Sequence, residues 1–181
     1  MIDIKNLTVE FDKTVLENVN LQFYEGIYCI YAPSGRGKTT LLNAIAGLVK
    51  YKGQIDVKGT VSYVFQEDRL LNWLTAEQNI MLVEPNKKTA IEYMKELGIN
   101  EFRNKKAQEL SGGMKRRCAL VRGLAVEKDI YMLDEPFRAL DEDNAQKVRD
   151  IIIKTAKTKL IIIVTHNEED YKTLNAQRVL L

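Results

Sequence analysis

Two short apolar runs, at 130–133 and 160–164, most limit what this chain can become. Neither alternates polar with apolar residues, so each reads as a strand buried on both faces. Between them, 141–156 carries Val148, Ile151, Ile152 and Thr155 on one helical face. Strand, amphipathic helix, strand is the unit of a parallel sheet covered on both sides, so the expected class is α/β. Ligands in such sheets sit beyond the carboxyl ends of the strands.

Upstream, 2–11 and 19–24 alternate with a period of two and read as strands, with the turn signal Glu25-Gly26 behind them. A further apolar run, 27–31, ends at a glycine-rich stretch, and 39–48 then reads as a helix with Gly47 near its end. The middle changes character. Thr75-Ala-Glu-Gln78 is a capping box that opens a helix. Ile91, Met94 and Leu97 mark a second helix over 88–97, which Gly98 stops. A third helix is expected over 115–125, and the chain closes with a short helix at 168–174 and a strand at 178–181. With 181 residues, this predicts one domain whose core is about 1–66 and 121–181, interrupted by a mostly helical insertion at about 67–120.

The glycine-rich stretch is Ala32-Pro-Ser-Gly-Arg-Gly-Lys-Thr-Thr40. Between a strand and a helix, such a loop wraps phosphates with successive backbone N–H groups, helped by the helix N-terminus. Gly35 and Gly37 supply the unusual backbone angles, Lys38 reaches the β- and γ-phosphates, and the Thr39 hydroxyl is placed to ligate Mg²⁺. Ala32 stands where the usual pattern has glycine, which matters only if that position needs φ > 0. Before Pro33 an extended backbone is favoured, so the alanine should be tolerated.

Two more constellations carry chemistry. Ile130-Tyr-Met-Leu-Asp-Glu135 delivers two carboxylates to a strand exit. Asp134 there would hold Mg²⁺ through its water shell, and Glu135 would polarise the water that attacks a γ-phosphate. Leu110-Ser-Gly-Gly-Met114 begins a helix and forms another anion nest, from Ser111, Gly112 and Gly113. This four-letter core is the most specific signal in the chain.

Together these motifs make the chain resemble the nucleotide-binding domain of an ATP-binding cassette (ABC) protein, essentially end to end. The resemblance implies a P-loop NTPase (RecA-like) core with a mostly parallel sheet, an N-terminal antiparallel β part and an inserted helical subdomain. It implies ATP with Mg²⁺ as ligands. Residues Ser34, Gly35, Arg36, Gly37, Lys38, Thr39 and Thr40 match the Walker A loop, and Gln66 matches the Q-loop glutamine, which joins Thr39 and Asp134 at the metal. Asp134 and Glu135 match Walker B, Ala139-Leu140-Asp141 the D-loop, and the single histidine, His166, the switch that contacts the γ-phosphate. Phe11 matches the aromatic that stacks on adenine, with a core strand aromatic as the alternative. Met114 and Arg138 depart from the usual signature and D-loop residues.

In that family the signature of one subunit completes the ATP site of another, so a second cassette, identical or paralogous, is implied. The segment VFQEDRLLNWLT and the string DEPFRALD are similar to importer ATPases of the nitrate, sulfonate and taurine type. That likeness implies separate integral membrane permease subunits, a solute-binding protein in the full system, and a cytoplasmic place on the inner face of the cell membrane. Trp73, with Leu70, Leu71 and Leu74, either fills the helical region or anchors a partner helix. A regulatory module that binds nucleotide with little hydrolysis is the alternative function.

Composition narrows the field. A net charge of +2 is too balanced to suggest a nucleic-acid protein by charge alone. Lys105-Lys106 and Lys115-Arg116-Arg117 read as solvated faces. Cys29 and Cys118 lie in apolar patterns and read as buried thiols of a reducing compartment. No apolar run approaches the roughly 20 residues that span a bilayer. Lys38 and Ser111 are 73 positions apart, too few for the long coiled coils of chromosome-maintenance relatives. One phosphate loop argues against the double-cassette translation factors. No regulatory extension is expected beyond the last strand.

Overall fold

The computed structural model describes residues 1–33 and 35–181. In chain order the elements are β1 (Ile2–Glu10), β2 (Thr14–Phe23), β3 (Gly26–Tyr31), α1 (Lys38–Ile45), β4 (Lys52–Val57) and β5 (Val61–Val64). Then follow α2 (Ala76–Met81), α3 (Lys87–Glu96), α4 (Gly112–Leu124), β6 (Ile130–Asp134), α5 (Glu142–Thr155), β7 (Leu160–Thr165), α6 (Glu169–Thr173) and β8 (Gln177–Leu180).

The strands form two sheets. An antiparallel one has the order β2-β1-β4, and a parallel one has the order β5-β6-β7-β3-β8. The class is mixed α/β, as the apolar runs required. Strands β4 and β5 were not anticipated from the sequence. The second is only four residues long, and the first, KGQIDV, is largely exposed, so neither carries a strong apolar period. Strand β2 also begins five residues earlier than its alternation suggested. Register shifts along β1 and positive φ at Asn6 and Asn18 break the two-residue period there.

Alternation along the parallel strands divides the interior into two cores. Tyr28, Ile30, Ile130, Met132, Leu160, Ile162 and Val164 face α1 and the antiparallel sheet, where Ile2, Phe23 and Leu42 complete the packing. Cys29, Tyr131, Leu133, Ile161 and Ile163 face the other way, against Leu120, Val148, Ile152 and the helical segment. Burial on both faces is why these strands read as continuous apolar runs. It also pushes the thiols of Cys29 and Cys118 up to about 12.

Helix α2 has the expected capping box: the Thr75 hydroxyl accepts from Gln78 N–H while Gln78 Oε1 accepts from Thr75 N–H. Helix α4 starts in the helical segment and runs past position 120. There Ser62 Oγ donates to the Gly123 carbonyl at 2.7 Å, and a methyl on Gly123 would overlap Val64. The helical segment is therefore tied to β5 through α4, with no break in the chain's structure at 120.

Candidate functional site

The strand order sets β6, β7 and β3 side by side, so their carboxyl ends open on one edge. Asp134 pairs in register with Val164, and Tyr31 with Thr165. Beyond β3 the glycine loop runs into α1. Gly35 (φ 80°) and Gly37 (φ 85°) are left-handed, and Gly37 is the N-cap residue of α1. A Cβ on Gly37 would sit 2.7 Å from Leu16 Cδ2, so the start of β2 braces the loop. Ala32 is buried and is not among the described non-glycine residues with positive φ. The methyl group therefore meets no conformational penalty. Its carbonyl accepts from Lys38 Nζ at 2.5 Å, and Pro33 O accepts from the same ammonium at 3.2 Å.

A cavity of about 280 Å³ lies over this loop, lined by Val15, Gly35, Gly37, Lys38, Thr39, Thr40, Gln66, Asp134 and Glu135. Arg36 and Phe11 do not line it; Arg36 is exposed, and Phe11, at the β1–β2 turn, is 60% exposed. Ser34 lies outside the described residues. Val15 was not singled out from the sequence and has no chemical signature that would have revealed it.

Thr39 Oγ1 donates to Asp134 Oδ2 at 2.7 Å. Burial raises the Asp134 carboxyl above its ordinary range, opposed by that hydrogen bond and reinforced by the charge of Glu135. The other oxygen, Oδ1, is buried with no hydrogen-bond partner among the described residues. A hydroxyl, a carboxylate with a spare oxygen and the Gln66 amide facing one cavity form an all-oxygen donor set that suits a hard cation.

Glu135 turns away from the strand at φ 48°, a conformation that costs a non-glycine residue about 1–3 kcal/mol. Its N–H donates to Val164 O at 2.9 Å, and both carboxylate oxygens lie 2.9 Å from His166 Nδ1. A carboxylate only accepts, so that nitrogen carries the proton. The last residues of β6 and β7 thus bring the two predicted catalytic side chains into contact.

Ser111, Gly112 and Gly113 do not line the loop cavity. They open α4, with Ser111 as N-cap and its hydroxyl accepting from Met114 N–H at 3.4 Å. Gly112 borders a second cavity of about 290 Å³ with Gln66, Asp68, Arg116, Arg138 and Ala139. A Cβ on Gly113 would lie 3.0 Å from the carbonyl of Ala139, whose φ is 61°. Asp141 caps α5 by accepting from Asn144 N–H.

The basic run Lys115-Arg116-Arg117, inside α4, is not a solvated face. Lys105 and Lys106 are exposed, but Arg116 is only 2% exposed. It donates into the backbone carbonyls of Phe65 and Asp134, which sequence proximity cannot reveal. Its place on the same helical stripe as Ala119, Leu120 and Gly123 was the available signal. Arg117 likewise donates to the carbonyls of Leu97 and Gly98 and to Asn144 Oδ1. In the other open question, Leu70, Leu71 and Leu74 are half-buried while Trp73 is 68% exposed.

The family model for ABC transporters matches residues 16–138, which span the loop, the Gln66 segment, the signature and both carboxylates. The chain belongs to the ABC transporter family. The aliphatic sulfonates import ATP-binding protein SsuB 2 of Pseudomonas syringae pv. tomato is 39% identical over 165 residues, covering 87% of this chain and 71% of that protein. The taurine import ATP-binding protein TauB of Jannaschia sp. is 32% identical, covering 98% and 76%. Among solved structures, a dimeric post-hydrolysis state of an ATP-binding cassette bound to ADP and Pi superposes with a TM-score of 0.89. It has 28% sequence identity, and 100% of this chain and 94% of that one are covered. The P-loop NTPase fold of the ABC cassette expected from the motifs is thereby shown.

Proposed function

We propose that this ABC protein binds and hydrolyses ATP to drive import of a small solute through membrane-spanning subunits on separate chains. The observation that carries the reading is the contact of Thr39, from the start of α1, with Asp134 and of Glu135 with His166 where the adjacent strands β6 and β7 end. Backbone N–H groups of the loop and the start of α1 receive the phosphates, and Lys38 offers a fixed positive charge there. Thr39, Asp134 and Gln66 would hold Mg²⁺, which neutralises charge on the phosphates when bound. Glu135 takes the proton of the attacking water, and the His166 N–H aims its carboxylate. Phe11, exposed near β2, is available to stack on adenine.

Two features support a paired assembly. The signature cradle lies off the chain's own loop cavity, and the ADP-bound neighbour is a dimer. We infer one domain over 1–181, with the helical segment presenting Trp73 to a permease. No described helix is long and apolar enough to cross a membrane, which fits a subunit held at the inner face by its partners. The sulfonate and taurine relatives are named as import proteins, which favours an importer that works with a solute-binding protein. The test is Glu135→Gln in a phosphate-release assay. It should keep nucleotide binding and lower turnover by about 10²–10⁴-fold; near-parent hydrolysis would refute the general-base role. Repeated purification from the native host without any integral membrane protein would count against transport.

A further inference from the structure

The guanidinium of Arg116 reaches six acceptors from two segments that flank the loop cavity. Toward the Gln66 segment, Nη1 donates to Phe65 O at 2.7 Å, to Gln66 O at 3.5 Å and to Asp68 Oδ1 at 3.4 Å. Toward the exit of β6, Nη2 donates to Asp134 O at 2.6 Å and Glu135 O at 2.9 Å, while Nε donates to Pro136 O at 3.4 Å. The residue lies in the second turn of α4, whose first turn is the Ser111–Gly113 cradle. One buried cation therefore ties the signature helix to the main chain of Gln66 and of Glu135 at once.

We propose that Arg116 is a positioning residue that holds the left-handed backbone of Glu135, and so its carboxylate, in register with Gln66 and the signature helix. The planar fork is what the place demands. Its donors point in diverging directions, and the two carbonyls of Asp134 and Glu135 converge on one nitrogen. A lysine ammonium is a compact point charge and cannot reach both segments together. Arg122, on the same helix, donates among the described residues only to Asp68 O and Arg69 O, each at 2.8 Å, so it grips the first segment and not the second.

The inference rests on the hydrolytic reading above, and the experiment keeps the two apart. Phosphate release by the full chain is measured first; if it binds nucleotide without turnover, the hydrolytic reading itself falls. With an active parent, Arg116→Lys should retain the rise in melting temperature caused by Mg-ATP and an apparent KM within about threefold. Its kcat should drop by about 10²-fold, the scale of a small misplacement of a reacting group. Arg122→Lys should stay within about threefold of the parent in both constants. An Arg116→Lys variant with parental kcat overturns the proposal, as does an equal loss in Arg122→Lys, which would reduce the effect to loosening of one segment. If Arg116→Lys does not fold, Arg116→Gln decides. A folded, ATP-binding Arg116→Gln with the same selective loss of kcat supports positioning, and failure of both to fold makes the residue structural only and ends the proposal.

Discussion

Thr39 Oγ1 and Asp134 Oδ2 lie 2.7 Å apart although 95 positions separate them in the chain. The contact joins the first turn of α1 to the last residue of β6, across the edge where β7 also ends. Three motifs written far apart become one site because parallel strands all end on the same side.

That contact leaves a buried charge without a full set of partners, and its effect on stability has a definite sign. Burial raises the Asp134 carboxyl, so the folded chain binds this proton more tightly than the unfolded one. Stability from this group is thus present below the ordinary carboxylate range and is lost as pH rises through the raised folded value. At pH 7 without divalent cations, Asp134→Asn should melt above the parent, by about 2–4 °C for each 1 kcal/mol relieved. The gap should narrow on acidification toward the ordinary range. Added Mg²⁺ should raise the melting temperature of the parent and not of the variant. Calorimetry over a pH series checks this, and a variant that melts lower at pH 7 in buffer with chelator would contradict it.

The loop invites a paired substitution, because two positions of the same pattern have opposite geometry. Ala32→Gly should cost about 0.5–1 kcal/mol of stability and leave nucleotide affinity within about twofold, since nothing at that position requires glycine. Gly37→Ala, at φ 85° and with its Cβ 2.7 Å from Leu16, should abolish the thermal shift produced by millimolar Mg-ATP. A full shift in Gly37→Ala, or none in Ala32→Gly, would reverse the reading of the loop.

Legibility of this chain followed the range of the interactions. Apolar runs buried on both faces, glycines at left-handed positions and the Thr75 capping box all express local physics, and each was readable in place. Strands β4 and β5 were not, because they are short and β4 is largely exposed, so their existence depends on the neighbours they pair with. Arg116 was misread for a related reason. Nothing beside it in the sequence says that carbonyls from about 20 and 50 positions away will close around it. The end of the helical segment was blurred because α4 serves both the signature and the packing on β5. Within the site, residue types marked Thr39, Asp134 and Glu135 and the family resemblance marked His166, while the pairing of Glu135 with His166 needed the strand order.

The signature cradle allows a substitution that separates folding from function. Ser111 is the N-cap of α4, and aspartate caps helices as well as serine does, with added attraction to the helix N-terminus. Ser111→Asp should therefore fold and melt at least as high as the parent. Because Ser111 does not line the chain's own loop cavity, the thermal shift with Mg-ATP in the isolated chain should also persist. In a closed pair, however, the new carboxylate would face the triphosphate held by the other subunit and repel it. Turnover and nucleotide-driven dimerisation should both be lost, the first read by phosphate release and the second by light scattering. Serine-to-threonine at this position keeps a neutral cap and should retain most of the turnover. If Ser111→Asp dimerises with ATP and hydrolyses it at the parental rate, the two cradles do not share a nucleotide.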